Sequence, residues 1–151
     1  MPRLSASIQI KANRNTVFQI LRDIENYPRY FRYVRRTDIV SREKDVVVAE
    51  IGEEIYGMTQ HMRTRFRFLP PARVEAEQLK GPFQSAFGLF LLEEIEEGTQ
   101  LNHVAEFEIG KGILGRLIQR FIADSYAQDR MAEELVAIKH AAEERHRQVQ
   151  A

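Results

Sequence analysis

The sequence predicts an α+β fold: a curved antiparallel sheet of about seven strands, two short helices after the first strand, and one long C-terminal helix. Three observations carry this. Period-two alternation of apolar and polar residues recurs through most of the chain. Short turns join the middle strands, so sequential neighbours run antiparallel. Helical spacing is confined to a stretch near the N-terminus and to the residues after the glycines at 110, 112 and 115.

Leu4, Ala6, Ile8 and Ile10 alternate with polar residues and form the first strand. Asn13 offers a side-chain cap to a short helix carrying Val17, Phe18, Ile20, Leu21 and Ile24. That helix stops before Tyr27-Pro28, and Glu25 to Arg32 reads as a second, very short helix. Val34 to Val40 and Val46 to Ile51 form a hairpin about the polar turn 41–45. A long strand follows from about Ile55 to Leu69. Its even positions, Tyr56, Met58, Gln60, Met62, Thr64, Phe66 and Phe68, face inward, while Arg63, Arg65 and Arg67 form an outer stripe. Pro70-Pro71 turns the chain into Arg73 to Leu79, whose Glu75 and Glu77 face that stripe as cross-strand ion pairs. Phe83 to Leu92, the turn Glu96-Glu97-Gly98 and Thr99 to Ile109 complete the sheet, with Leu101, His103, Ala105 and Phe107 on the inner face. From Leu114 one helix of some 30 residues is expected, interrupted on its apolar stripe by Ser125, Gln128 and Asp129. A bent sheet around one helix leaves a wedge, and a wedge is where a cavity forms.

The 151 residues are one domain's worth of chain, and residues 1–151 are read as a single ligand-binding domain. Lys plus Arg and Asp plus Glu both number 22, so the surplus of positive charge that DNA binding needs is missing. The chain has no cysteine, which excludes disulfides, thiol catalysis and cysteine-bound zinc and fits a cytoplasmic location. The longest apolar run, Phe87 to Leu92, is too short to span a bilayer, and the N-terminus lacks the apolar core of a signal peptide. No metal or other cofactor is expected. His140 and Glu144 share a helix face, but no third ligand joins them.

The stretch Arg65-Phe66-Arg67-Phe68-Leu69-Pro70-Pro71-Ala72-Arg73-Val74-Glu75-Ala76-Glu77-Gln78-Leu79-Lys80-Gly81-Pro82-Phe83 resembles the double-proline turn and Gly-Pro-Phe strand start of the coenzyme-Q-binding group. Val17-Phe18 with Asp23 to Tyr27-Pro28 is similar to the first helix and its exit in the wider START-like, or SRPBCC, superfamily, which also holds polyketide cyclases/dehydrases. The resemblance implies a helix-grip fold with a deep apolar cavity. The implied ligand is an isoprenoid quinone, a lipid or a polyketide-like molecule. Where relatives tend to carry a tryptophan after Gly-Pro-Phe, this chain offers Phe87, Leu89 and Phe90 and has no tryptophan.

The expected ligand contacts are Met58, Gln60, Met62, Thr64, Phe66, Gln78, Phe87, Leu101, His103, Phe107 and Phe121. Unbranched methionines suit a site that accepts varied shapes. His103 is the one ionisable side chain on the inner face of the last strand: either it contacts a ligand, or it is a core histidine held by Gln78, Thr64 or backbone. The main expectation is a non-catalytic binding or transport protein for a hydrophobic small molecule. In the alternative, an aromatase/cyclase, His103 would act as acid and base, with no carboxylate evidently placed to orient it. A third reading takes Arg29, Arg32, Arg35 and Arg36, interleaved with Tyr27, Tyr30, Phe31 and Tyr33, as a peripheral membrane contact or a ribosome contact like that of toxin-like relatives. Against it stands an ordinary solvated helix exit with the tyrosines packed inward. Gly110-Lys111-Gly112-Ile113-Leu114-Gly115 matches G-x-G-x-x-G, but no second strand follows to complete a dinucleotide-binding unit, and it reads as a strand-to-helix corner.

Overall fold

Alternation builds the strands, and the turn residues set how far each one runs. The computed structural model describes residues 2–150. Its strands are β1 (Arg3–Ile10), β2 (Val34–Glu43), β3 (Val46–Ile55), β4 (Met58–Leu69), β5 (Arg73–Lys80), β6 (Ser85–Ile95) and β7 (Gly98–Glu108). They form one antiparallel sheet in the order β1-β7-β6-β5-β4-β3-β2. Register shifts between β2 and β3, and between Arg63 and Thr64 on β4, bend the sheet. With the helices that follow β7, this is the expected helix-grip architecture.

Between β1 and β2 lie α1 (Arg14–Arg22), a single 3-10 turn (Ile24–Asn26) and α2 (Tyr27–Tyr30). Asn13 caps α1 through its Oδ1, which accepts from the Thr16 amide at 2.8 Å, an interaction worth about 1 kcal/mol. The arginine stripe of β4 pairs across the outer face: Arg65 with Glu77 at 2.8 Å, Arg67 with Glu75 at 3.8 Å, and Arg63 with Glu50 of β3 at 2.6 Å. Such exposed pairs contribute roughly 0–1 kcal/mol each, so they fix register more than stability.

Two expectations are corrected. The long strand does not begin at Ile55, which closes β3; Tyr56 and Gly57 form a two-residue hairpin turn with φ of 52° and 79°. Glycine takes that left-handed conformation freely, whereas a tyrosine there is uncommon, so the sequence conceals the turn. Tyr56 is held in it from outside, its ring 4.4 Å from that of Tyr126 and its amide donating to the Tyr126 hydroxyl at 3.2 Å. The C-terminal helix is also not continuous. It divides into α3 (Gly112–Ala123) and α4 (Tyr126–Gln150), with Ser125 at φ 63° between them. The polar residues that thinned the apolar stripe mark this break: Ser125 is exposed there, and Gln128 turns to donate to the Ser5 carbonyl at 3.3 Å.

α4 crosses β1 and packs on α1. The wedge is filled at one end by Val17, Phe18, Leu21, Phe66, Phe68, Leu101, Leu135 and Ile138. A smaller cluster at the other end joins Ile55, Phe121 and Ala127. A hollow remains between them. No helix among the described residues is long and apolar enough to cross a membrane.

Candidate functional site

The hollow originates in one cross-strand row of small residues. Ala76, Gly88 and Ala105 stand in register on the inner faces of β5, β6 and β7 and leave a dent where their neighbours carry large side chains. The cavity above this row has a volume of about 220 Å³ and is roofed by Ala127, Arg130, Met131 and Glu134 of α4. Phe121 of α3, with Phe83 and Phe107, makes an aromatic side wall, Phe83 and Phe107 stacking at 4.7 Å. A second chamber of about 170 Å³ lies deeper, against Tyr27, Phe31, Tyr33 and Phe90. The two share Glu53, Thr64, Ala76, His103 and Glu134 in their walls, so the seam between them is polar.

His103 is buried, its ring stacked on Phe90 with centroids 4.0 Å apart. Its Nδ1 lies 2.9 Å from Glu134 Oε1. That approach falls outside hydrogen-bond geometry, and both atoms are buried with no other partner. Glu134 Oε2 accepts from the Tyr33 hydroxyl at 3.1 Å. Burial, reinforced by the Glu134 charge, raises the Tyr33 pKa well above the ordinary phenol value, so this hydroxyl stays a donor.

Arg130 anchors the other side of the seam. Its Nη1 donates to Glu53 at 3.0 Å, its Nη2 to Glu54 at 3.1 Å and to the Tyr126 hydroxyl at 3.0 Å, and its guanidinium lies 4.1 Å above the Tyr33 ring. The Glu53 carboxyl is pushed up to about 7: burial is the largest cause, Arg130 works against it, and the Glu134 charge adds to the rise. Glu54 moves the opposite way: the Gly57 amide hydrogen bond holds its carboxyl below the usual range, with Arg130 assisting.

The structure brings Met62, Thr64, Gln78, His103, Phe107 and Phe121 together around the main cavity. Phe87 borders it from the outward register of β6 and remains 38% exposed. Phe66 belongs to the deeper chamber, and Leu101 is fully buried in the packed end of the wedge. Met58 is 48% exposed beside the Tyr56-Gly57 turn, and neither it nor Gln60 reaches the cavity wall. Gln78 is occupied structurally, its side chain donating to the Phe83 carbonyl at 2.9 Å and accepting from the Phe83 amide at 3.3 Å. His103 therefore faces Glu134 and not Gln78.

Sequence reasoning missed Glu53, Arg130 and Glu134. Glu53 continues the inward alternation Val47, Ala49, Ile51, and a strand extended to Ile55 would have included it. Arg130 and Glu134 sit on the buried stripe of α4 with Ala127, Met131, Leu135 and Ile138. The signal was a pair of charges at i and i+4 on an apolar face.

In the arginine-rich segment, Tyr27, Phe31 and Tyr33 face the core, and Tyr30 is half-buried, donating to Asp23 at 2.5 Å. The aromatic faces that would stack on RNA bases are thus turned inward. Arg32 pairs with Glu133 at 2.6 Å and Arg36 with Asp38 at 2.6 Å. Arg35 and Arg36 lie on β2, an edge strand, where exposed charge also blocks pairing with other sheets. At the glycine-rich corner β7 passes directly into α3, with no strand following.

A family model described as polyketide cyclase/dehydrase and lipid transport matches residues 1–143. Among solved structures, the Zhui aromatase/cyclase from a Streptomyces species superposes with a TM-score of 0.87 at 18% identity, covering 95% of this chain and 94% of that one. A START superfamily protein from Mycobacterium smegmatis gives 0.73 at 18% identity over 97% and 98% of the two chains. A STAR-related lipid transfer protein from Xanthomonas axonopodis gives 0.72 at 14% identity over 91% and 84%. No curated protein matches the chain. At these identities the likeness establishes the fold, and activity has to be argued from the cavity.

Proposed function

The chain belongs to the polyketide cyclase/dehydrase and lipid transport family, and from that premise we propose that it binds a hydrophobic small molecule in the hollow above Ala76, Gly88 and Ala105. One observation carries the reading: an apolar cavity of about 220 Å³ with polar groups gathered on a single seam. Mostly apolar walls with a few placed polar groups are the usual design of a small-molecule site. The volume is below the roughly 300–1,000 Å³ of drug-sized sites, so it suits a ring system or a short chain. The head of an isoprenoid quinone, a lipid end or part of a polyketide would enter. We place residues 1–151 in one ligand-binding domain, working without a cofactor and located in the cytoplasm.

A second reading is favoured by His103 and Glu134. A carboxylate beside an imidazole that lines a cavity is the arrangement of a general base, which suits proton abstraction beside a ketone in a cyclase. The sequence offered no such carboxylate; Glu134 supplies it.

The test is native mass spectrometry of freshly purified protein, followed by thermal melts with a short-chain quinone, a fatty alcohol and a hydroxyanthraquinone. A copurified apolar molecule, or a raised Tm with at least one of the three, is expected. Absence of both overturns the binding reading. Loss of water from a poly-β-ketone in the wild type but not in His103→Gln separates the cyclase from the carrier.

A further inference from the structure

We infer that the polar seam selects ligands that end in a neutral hydroxyl and rejects those that end in a carboxylate, with His103 Nε2 as the acceptor and Glu134 as its positioning residue. This rests on the binding reading above and specifies what the cavity takes.

Two buried side-chain atoms on the seam have no hydrogen-bond partner. His103 Nδ1 and Glu134 Oε1 face each other at 2.9 Å, both buried. A carboxylate oxygen can only accept, so the imidazole proton belongs on Nδ1, and a small rotation completes the bond. In a neutral ring this leaves Nε2 without a proton. Tyr33, donating to Glu134 Oε2, holds the carboxylate in place from behind.

Nε2 lies over Gly88. A Cβ placed on Gly88 would stand 3.6 Å from it and 3.9 Å from the Ala76 Cβ, so the missing side chain opens the cavity at this nitrogen. A ligand group arriving here meets a lone pair and must bring a proton.

Charge on the seam points the same way. Glu53 and Glu134 both line the cavity, and the one cation beside them, Arg130, is committed to Glu53, Glu54 and Tyr126. An incoming carboxylate would find like charge in a mostly apolar pocket and no free guanidinium, which disfavours it.

Three probes of one shape test this at about pH 8: naphthalene, 2-naphthol and 2-naphthoate, each titrated by fluorescence or calorimetry. The wild type should bind 2-naphthol about tenfold or more tighter than naphthalene, and 2-naphthoate weakest of the three. In Glu134→Gln the advantage of 2-naphthol should shrink to about threefold or less and the penalty on 2-naphthoate should ease. Nitrogen-15 NMR of His103 in the wild type, which depends on no variant folding, should show the tautomer protonated on Nδ1. Tighter binding of 2-naphthoate, equal binding of all three probes, or a proton on Nε2 overturns the selection while the cavity reading stands. Failure of all three to bind removes both.

Discussion

Glu53 shows how a single register position acquires chemistry. The alternation that buries Val47, Ala49 and Ile51 carries a carboxylate to the same face, where only Arg130 offsets its lost hydration. Its pKa of about 7 in the folded protein lies above the roughly 4.3 of an unfolded chain, so folding takes up a proton between those values. The protonated form therefore stabilises the fold at low pH, and that contribution is lost as pH rises towards about 7. Urea denaturation of wild type and Glu53→Gln at about pH 5 and about pH 8 should show their stability difference moving against the wild type by on the order of 2–3 kcal/mol at the higher pH. A difference that does not change with pH would remove Glu53 as the titrating group. Glu53, Arg130 and Glu134 mark the limit of what the sequence disclosed. His103 was legible because a strand of clear alternation placed it inside. Glu134 was not, because i and i+4 spacing of charges on a helix ordinarily means a solvated pair, and only tertiary packing turns this pair inward.

At the scale of elements, turns decided which expectations held. The Pro70-Pro71 and Glu96-Glu97 corners lie where their residues indicate, and Asn13 caps α1 as its position implies. Tyr56 and Ser125 adopt left-handed conformations that local propensity disfavours and their surroundings enforce, so one strand boundary and one helix break stayed hidden. The β7–α3 corner matters most for the site, because it aims Phe121 at the cavity. Gly115 is in contact with the chain just before its own helix: a Cβ there would lie 1.9 Å from the Gly110 carbonyl oxygen. Gly115→Ala should therefore destabilise the protein by about 1–3 kcal/mol. Gly110→Ala, whose nearest foreign atom would be a side-chain carbon at 4.0 Å, should stay within about 0.5 kcal/mol of wild type. Chemical denaturation of both variants checks the contrast, and equal effects would mean that the corner adapts.

For the whole molecule, the hollow follows from a mismatch between two curved layers. The bent sheet and α4 are filled with large side chains at the α1 end, where Phe66, Phe68, Phe90 and Leu101 join Leu135 and Ile138. Further along, the sheet presents Ala76, Gly88 and Ala105 to α4, and no side chain among the described residues fills the gap. The wedge was legible from the order of elements. Its hollow part was not, since an apolar inner face looks the same in one sequence whether it meets a helix or a ligand: Phe68 and Leu101 serve packing, while Met62, Phe107 and Phe121 line space. The most direct measurement is a naphthalene titration of wild type beside Gly88→Leu. A Cβ at Gly88 meets only ordinary contacts, so the larger side chain is expected to grow into the cavity without unfolding the protein. Saturable binding by wild type, with affinity reduced about tenfold or more in a variant that melts no lower, is the predicted result. Undiminished binding by the folded variant would show that the ligand does not occupy this hollow and would contradict the account.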